Sequence, residues 1–223
     1  MKKKQLIVFA AASLIFLLLG IYLIFFTKFF IVNSVEFEGS LTCADRENLV
    51  SSAEVTGSNF FLIQNQAIEK KLKEKFSCIK SVEIINKFPN RIFLKVKNRT
   101  PQAKVLIAGQ VDYLVDKEGV LFSGGDASLK IYSDKKEKDF KKILSVLERT
   151  KFFGIDITEA SATAESLLIQ SMPQISFALD KDIEEQIASL QLILAKAKID
   201  EETLEFIDLR FDKPVVRFAP KKK

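Results

Sequence analysis

Residues 80–99 read KSVEIINKFPNRIFLKVKNR. Val82 and Ile84 alternate with Glu83, and Ile92, Leu94 and Val96 alternate with Phe93, Lys95 and Lys97. A period of two marks strands with one buried face. Pro89-Asn90 lies between the two runs and supplies a turn. The stretch is therefore a β-hairpin, and it sets the reading of what precedes it.

Immediately upstream, NQAIEKKLKEKF repeats Ile68, Leu72 and Phe76 at i, i+4 and i+8, one apolar stripe on a helix that Asn65 is expected to cap. Lys70, Lys71, Lys73 and Lys75 fill the other face, with Glu69 and Glu74 in pairing positions, and read as a solvated surface. Further back, Leu49, Val50 and Ala53 belong to a shorter helix ending near Gly57, with Thr42 as its expected N-cap and Asp45 in its first turn. Before that, Val35 and Phe37 alternate with Ser34, Glu36 and Glu38 in a strand that Gly39 ends. Residues 30–100 thus form a strand-helix-helix-strand-strand unit.

Leu6 to Phe26 is a 21-residue run without a charge. At about 1.5 Å per residue it covers the roughly 30 Å of a bilayer core. Tyr22, Phe25, Phe26, Phe29 and Phe30 gather at its far end like an aromatic belt. Lys2, Lys3 and Lys4 precede it and only Lys28 follows closely, so the positive-inside rule puts residues 1–5 in the cytoplasm and the bulk outside. The run is longer than a signal-peptide core and ends in YLIFFTKFF, without small residues for cleavage, so it reads as an uncleaved anchor over 6–26.

Past Pro101, AKVLIAGQVDYLVDKEGVLF reads as two strands joined near Gly109, then a turn at Asp116–Gly119 into a third. The Asp-x-x-Gly is an ordinary turn and receives no chemistry. Ser133 to Phe153 reads as a helix with Phe140, Ile143, Leu144 and Leu147 as its stripe and Gly154 closing it. ESLLIQSMPQISFALD is a hairpin with Ile175, Phe177 and Leu179 inward. Asp182 to Ala197 is a helix with Ile183, Ile187, Leu190 and Leu194 on one face. LEFIDLRF and PVVRF are two last strands around Asp212-Lys213-Pro214. The fold class is α+β: a transmembrane helix, a βααββ domain over 30–100, a β-rich domain with two helices over 101–219, and a basic tail at 220–223.

The net charge is +5, but Lys2–Lys4 and Lys221–Lys223 account for it; the remaining 28 basic residues face 29 acidic ones. No basic face for nucleic acid is expected from so even a balance. The chain has no histidine, which removes histidine triads, histidine bases and most catalytic zinc sites. It has no nucleophile elbow, phosphate loop or metal-spaced Cys set. Glu184-Glu185 and Glu201-Glu202 are adjacent pairs that do not converge on one substrate. A carboxylate-only glycosidase needs no histidine, but nothing singles out an acid and a nucleophile. The expectation is no enzyme, no catalytic residue, no metal, no cofactor and no small-molecule substrate.

Cys43 follows the first strand and Cys78 the second helix. Alternating element directions bring both to the same end of the domain. Outside the cytoplasm a Cys43–Cys78 disulfide is open to them, as are two buried free thiols.

The unit over 30–100 resembles a POTRA domain, and the whole chain is similar to the FtsQ/DivIB family of bacterial cell-division proteins. The resemblance rests on NSVEFEGS (33–40), SNFFLI (58–63), IKSVEIINKFPNRIFLKV (79–96), the Arg99-Thr100-Pro101 at the hairpin's end, YLVDKEGVLF (113–122) and the IDLRF ending (207–211). Asn98 stands where the family tends to carry an acidic residue before Arg-x-Pro. The resemblance implies a non-enzymatic divisome scaffold in the plasma (inner) membrane, found at the division septum. It implies FtsB/DivIC-like and FtsL-like single-span coiled-coil partners, held at the C-terminal strand edge. The matching residues here are Arg210, Phe211, Val215, Val216, Arg217 and Phe218. A terminal strand offers unpaired N–H and C=O groups for strand addition. Arg210 or Arg217 is suited to a partner carboxylate. Arg210 alternates away from Leu209 and Phe211 and reads as a contact; Val215 and Val216 read equally as contacts or as the sheet's last packed strand. The rival is a membrane-anchored POTRA protein of export or envelope assembly.

Overall fold

The computed structural model describes residues 2–39, 41–107, 112–136 and 139–220. The chain divides into two compact units, Met1–Asn98 and Arg99–Lys223.

In the first unit, helix α1 (Lys2–Phe26) carries no charge after Lys4, and no residue of its stretch Val8–Phe25 is buried. Uncovered apolar surface on every side is what a lipid-facing helix needs. A 3-10 turn (Lys28–Phe30) leads into strand β1 (Ser34–Glu38). Helix α2 (Arg46–Ala53), a second 3-10 turn (Phe60–Leu62) and helix α3 (Asn65–Lys75) follow, then strands β2 (Ile79–Lys87) and β3 (Arg91–Asn98). The sheet order is β1-β3-β2, with β1 parallel and β2 antiparallel to β3. Ile92, Leu94 and Val96 point from the central strand into a core with Leu49, Ile68 and Leu72, as their alternation predicts. Gly39 closes β1 at φ +120°, and a Cβ there would lie 2.7 Å from the Val96 carbonyl oxygen. Only glycine fits both constraints.

Two caps differ from expectation. Asp45, not Thr42, holds the N-cap position of α2. Gln64, not Asn65, precedes α3. The Asn65 amide instead donates to the Ile84 carbonyl at 3.3 Å, tying the helix start to β2 rather than capping it.

The second unit builds one nine-stranded sheet, order β12-β11-β10-β9-β8-β7-β4-β5-β6 among the described residues. Its strands are β4 (Pro101–Ile107), β5 (Tyr113–Asp116), β6 (Leu121–Phe122), β7 (Lys130–Ser133), β8 (Glu159–Ala162), β9 (Ser166–Gln170), β10 (Gln174–Ala178), β11 (Leu204–Asp208) and β12 (Val215–Phe218). Helix α4 (Phe140–Lys151) crosses between parallel β7 and β8, and helix α5 (Ile183–Ile199) between parallel β10 and β11. Parallel neighbours need such crossovers. Phe140, Ile143, Val146 and Leu147 of α4 share one core with Leu190 and Ala197 of α5 and with Ile131, Leu167, Phe177 and Ile207 from the sheet. Asp139 caps α4 by accepting from Lys142 N, and Asp182 caps α5 by accepting from Glu184 N. Gln186 pins α5 to the sheet: its amide accepts from Ala178 N at 2.8 Å and donates to Ala178 O at 2.9 Å.

The α+β class holds. The helix expected from Ser133 does not begin there. Ser133 ends β7, its side chain buried and its hydroxyl donating to the Lys135 carbonyl, and the helix starts at Phe140. The connection at Gly109 and the lysines of the terminal tail, Lys221–Lys223, lie outside the described residues.

Candidate partner-binding edge

β12 is the terminal strand of the large sheet and pairs antiparallel with β11: Asp208 faces Val215, Ile207 faces Val216 and Phe206 faces Arg217. The register shifts between Leu204 and Phe206. One side of β12 is held by β11; the other has no strand among the described residues. Val216 packs against the core from this edge. Val215 (52% exposed) and Phe218 (47%) keep about half their surface outside. The edge therefore offers main-chain groups together with apolar side chains, the two requirements of strand addition.

β11 ends at Asp208, earlier than the LEFIDLRF reading expects. Leu209 is buried and its N–H donates to the Ser176 carbonyl at 2.8 Å. Phe211 does not turn inward with it; beyond the strand's end the alternation stops, and the ring is 57% exposed. Arg210 lies between them with its guanidinium on Asp208, Nε at 2.9 Å from Oδ1 and Nη2 at 2.7 Å from Oδ2. Its backbone N–H also donates to Oδ1 at 3.1 Å. The Arg210 hydrogen bonds hold the buried Asp208 carboxyl below its ordinary value of 3.8, against the opposing effect of burial. The two-pronged face of Arg210 that suits a partner carboxylate is thus already occupied from within. Arg217 is also engaged, 3.0 Å from Glu205 and over the Phe206 ring at 5.7 Å. The six residues do gather at one edge: four on β12, two on the turn that leads to it.

The Asp116–Gly119 turn holds a residue that sequence reading passes over. Asp116 is 1% exposed and lies 2.5 Å from Arg99 Nη1. It also accepts from Glu118 N at 3.1 Å and Val120 N at 2.9 Å. Burial raises its pKa, but the Val120 N–H, the Arg99 guanidinium and the Glu118 N–H together outweigh burial and lower it. Gly119 (φ +82°) completes the turn where a Cβ would meet Lys141 N at 2.6 Å. This cluster braces β4–β6 at the opposite end of the sheet order from β12.

Cys43 and Cys78 form a disulfide in the first unit, with Cα atoms 6.1 Å apart. No group of three or more metal-ligating side chains occurs among the described residues.

Residues 30–99 match the family model described as the POTRA domain, FtsQ-type. These residues are an FtsQ-type POTRA domain. With the apolar N-terminal helix, the chain fits an FtsQ/DivIB-like protein, and the two features together point to a membrane-anchored division protein. No curated protein matches the sequence. Proteins with this POTRA type are generally non-catalytic and interact with other division proteins.

Proposed function

We propose that this chain is a non-enzymatic scaffold of the division machinery in the plasma membrane. Its N-terminus is cytoplasmic, and the POTRA domain and the β-rich domain over 101–219 are extracytoplasmic. It captures FtsB/DivIC-like and FtsL-like single-span coiled-coil proteins and so supports septum formation. The observation that carries the reading is the open β12 edge with half-exposed Val215 and Phe218 beside it. A partner segment adds there as a further strand. Its main chain bonds to β12, and its side chains meet Val215, Phe218 and, next to the strand, Phe211. Val216 serves the sheet instead, since it packs on the core. Arg210 and Arg217 act as rim charges, each already paired internally.

Truncation before Pro214 removes β12 and tests this. The expected result is loss of co-purification of the coiled-coil partners while the POTRA domain stays folded; unchanged capture sinks the site. Imaging of a tagged chain tests the role itself. A midcell ring, with filamentation on depletion, is expected, whereas a uniform envelope signal with normal division favours the export or assembly reading.

A further inference from the structure

Five phenylalanine rings from three separate segments meet on the POTRA domain. Phe29 and Phe30 come from the turn after α1, Phe60 and Phe61 from the turn before α3, and Phe88 from the hairpin tip. Phe30 stands 5.0 Å from Phe29, 5.1 Å from Phe61 and 5.9 Å from Phe88; Phe60 stands 5.5 Å from Phe61 and 6.2 Å from Phe88. Rings so joined ordinarily form a core. Here Phe29, Phe61 and Phe88 are 50–67% exposed, with Leu62 at 63%. A contiguous apolar patch of this kind marks a surface that something covers.

The structure also says where the patch sits. The Asn59 side-chain amide donates to the Ile24 carbonyl, in the last turn of α1, at 2.9 Å. Ile31 bridges Asn59, Val32 N donates to Ser58 O at 2.9 Å, and Asn33 N donates to Asn90 O at 3.2 Å. All three phenylalanine segments are therefore stitched to the chain as it leaves α1. Lys28 and Lys87 are sequence neighbours of Phe29 and Phe88. Lys87 and Arg91 share one carboxylate, Glu36, at 3.6 and 3.7 Å, which leaves an excess of positive charge.

We propose that this patch dips into the outer leaflet of the bilayer that α1 spans, so that the POTRA domain is held against the membrane at a fixed face. The occupant is lipid: rings at the acyl-chain boundary, basic groups among phosphates. The patch continues from the end of the span itself, and apolar rings beside cations match the chemistry of that boundary. The inference rests on α1 being the span and is independent of what β12 binds.

The chain has no tryptophan, so one substitution gives a single indole reporter. The full chain is reconstituted in vesicles of phosphatidylcholine and phosphatidylglycerol as Phe16→Trp, Phe61→Trp, Phe88→Trp or Phe152→Trp. Phe16 reports on α1; Phe152, 81% exposed in the second unit, is the aqueous reference. The expected result is that lipids brominated high on the acyl chain quench the Phe61→Trp and Phe88→Trp indoles several-fold more than the Phe152→Trp indole. Aqueous iodide should quench them several-fold less. Bromolipid quenching in Phe16→Trp with free iodide access at positions 61 and 88 overturns the patch and leaves the span standing. Loss of bromolipid quenching in Phe16→Trp overturns both. Shielding at 61 and 88 from both quenchers, seen only at high protein-to-lipid ratio, assigns the patch to a second copy and overturns the lipid contact.

Discussion

The POTRA domain and the C-terminal unit stay folded by different means. Among the described residues, the first has three strands, two short helices and the Cys43–Cys78 disulfide, and the second has nine strands. The second also has a continuous core, contains no cysteine, and buries a carboxylate, Asp116, against Arg99. Small domains remove a smaller share of their surface from water, so a covalent staple matters more there. A larger sheet tolerates a buried ion pair, but only because both carboxylate oxygens find donors: Asp116 has the Arg99 guanidinium on one and two backbone N–H groups on the other.

The sharpest way to break that contrast is Asp116→Ala. It takes the buried carboxylate away from the Arg99 guanidinium and strips two N–H groups of their acceptor. We expect a loss of about 3–5 kcal/mol. Hydrogen exchange should quicken at the amides of β4 and β5 and stay unchanged at those of β2 and β3. The complementary variant, Cys43→Ser with Cys78→Ser, opens a link between residues 35 apart. We expect about 2–4 kcal/mol, with exchange now quickening in β2 and β3. Equal responses of both units to either variant would remove the contrast.

A smaller effect separates Asp208 from Asp116. Asp208 is buried, but the Arg210 side chain that holds it is 44% exposed. Arg210→Ala should cost about 1.5–3 kcal/mol near neutral pH, the range for hydrogen bonds to a charge. Asp208 has a lowered pKa in the folded chain. Its stabilisation is therefore complete above about pH 4 and is lost as the pH falls through the lower folded value. In Arg210→Ala this loss on acidification should flatten, measured as denaturant midpoint against pH. An acid limb identical to the parent's would show that the pair contributes nothing.

Elements with a strong period were legible from sequence, and those without one were not. The β2–β3 hairpin and α5 read correctly because apolar side chains mark one face. β7 was hidden: Lys130–Ser133 buries a serine beside Ile131, and the polar residue looks like the start of a helix. β8 was hidden because its inward residues, Ala160 and Ala162, are too small to show an alternation. The strand β12 was legible from the Asp212-Lys213-Pro214 turn and the short apolar run after it, but only the fold places it at the sheet's edge. The Asp208–Arg210 pair carried a signal too, since a spacing of two puts both side chains on one side of an extended chain. Asp116 had none: Asp-x-x-Gly is a common turn, and Arg99 lies 17 residues away. The phenylalanine patch was half visible. Phe29 and Phe30 follow the apolar helix closely in sequence, but only the fold brings Phe61 and Phe88 to them.

The smallest effect on stability is the most informative about the edge. Phe211 lies beyond β11 and is more than half exposed; Arg210 packs near its ring at 5.8 Å. Phe211→Ser should change stability by no more than about 0.5 kcal/mol, as surface positions do. What sets this ring apart from other exposed ones is its place beside the free edge of β12. Partner capture is then its expected use, and the same variant should weaken co-purification of the coiled-coil proteins. A marked loss of stability would instead make the ring part of the fold. Retained capture would confine the contact to β12, where Val215→Gln sets a polar group among the apolar contacts without placing a second carboxylate opposite Asp208.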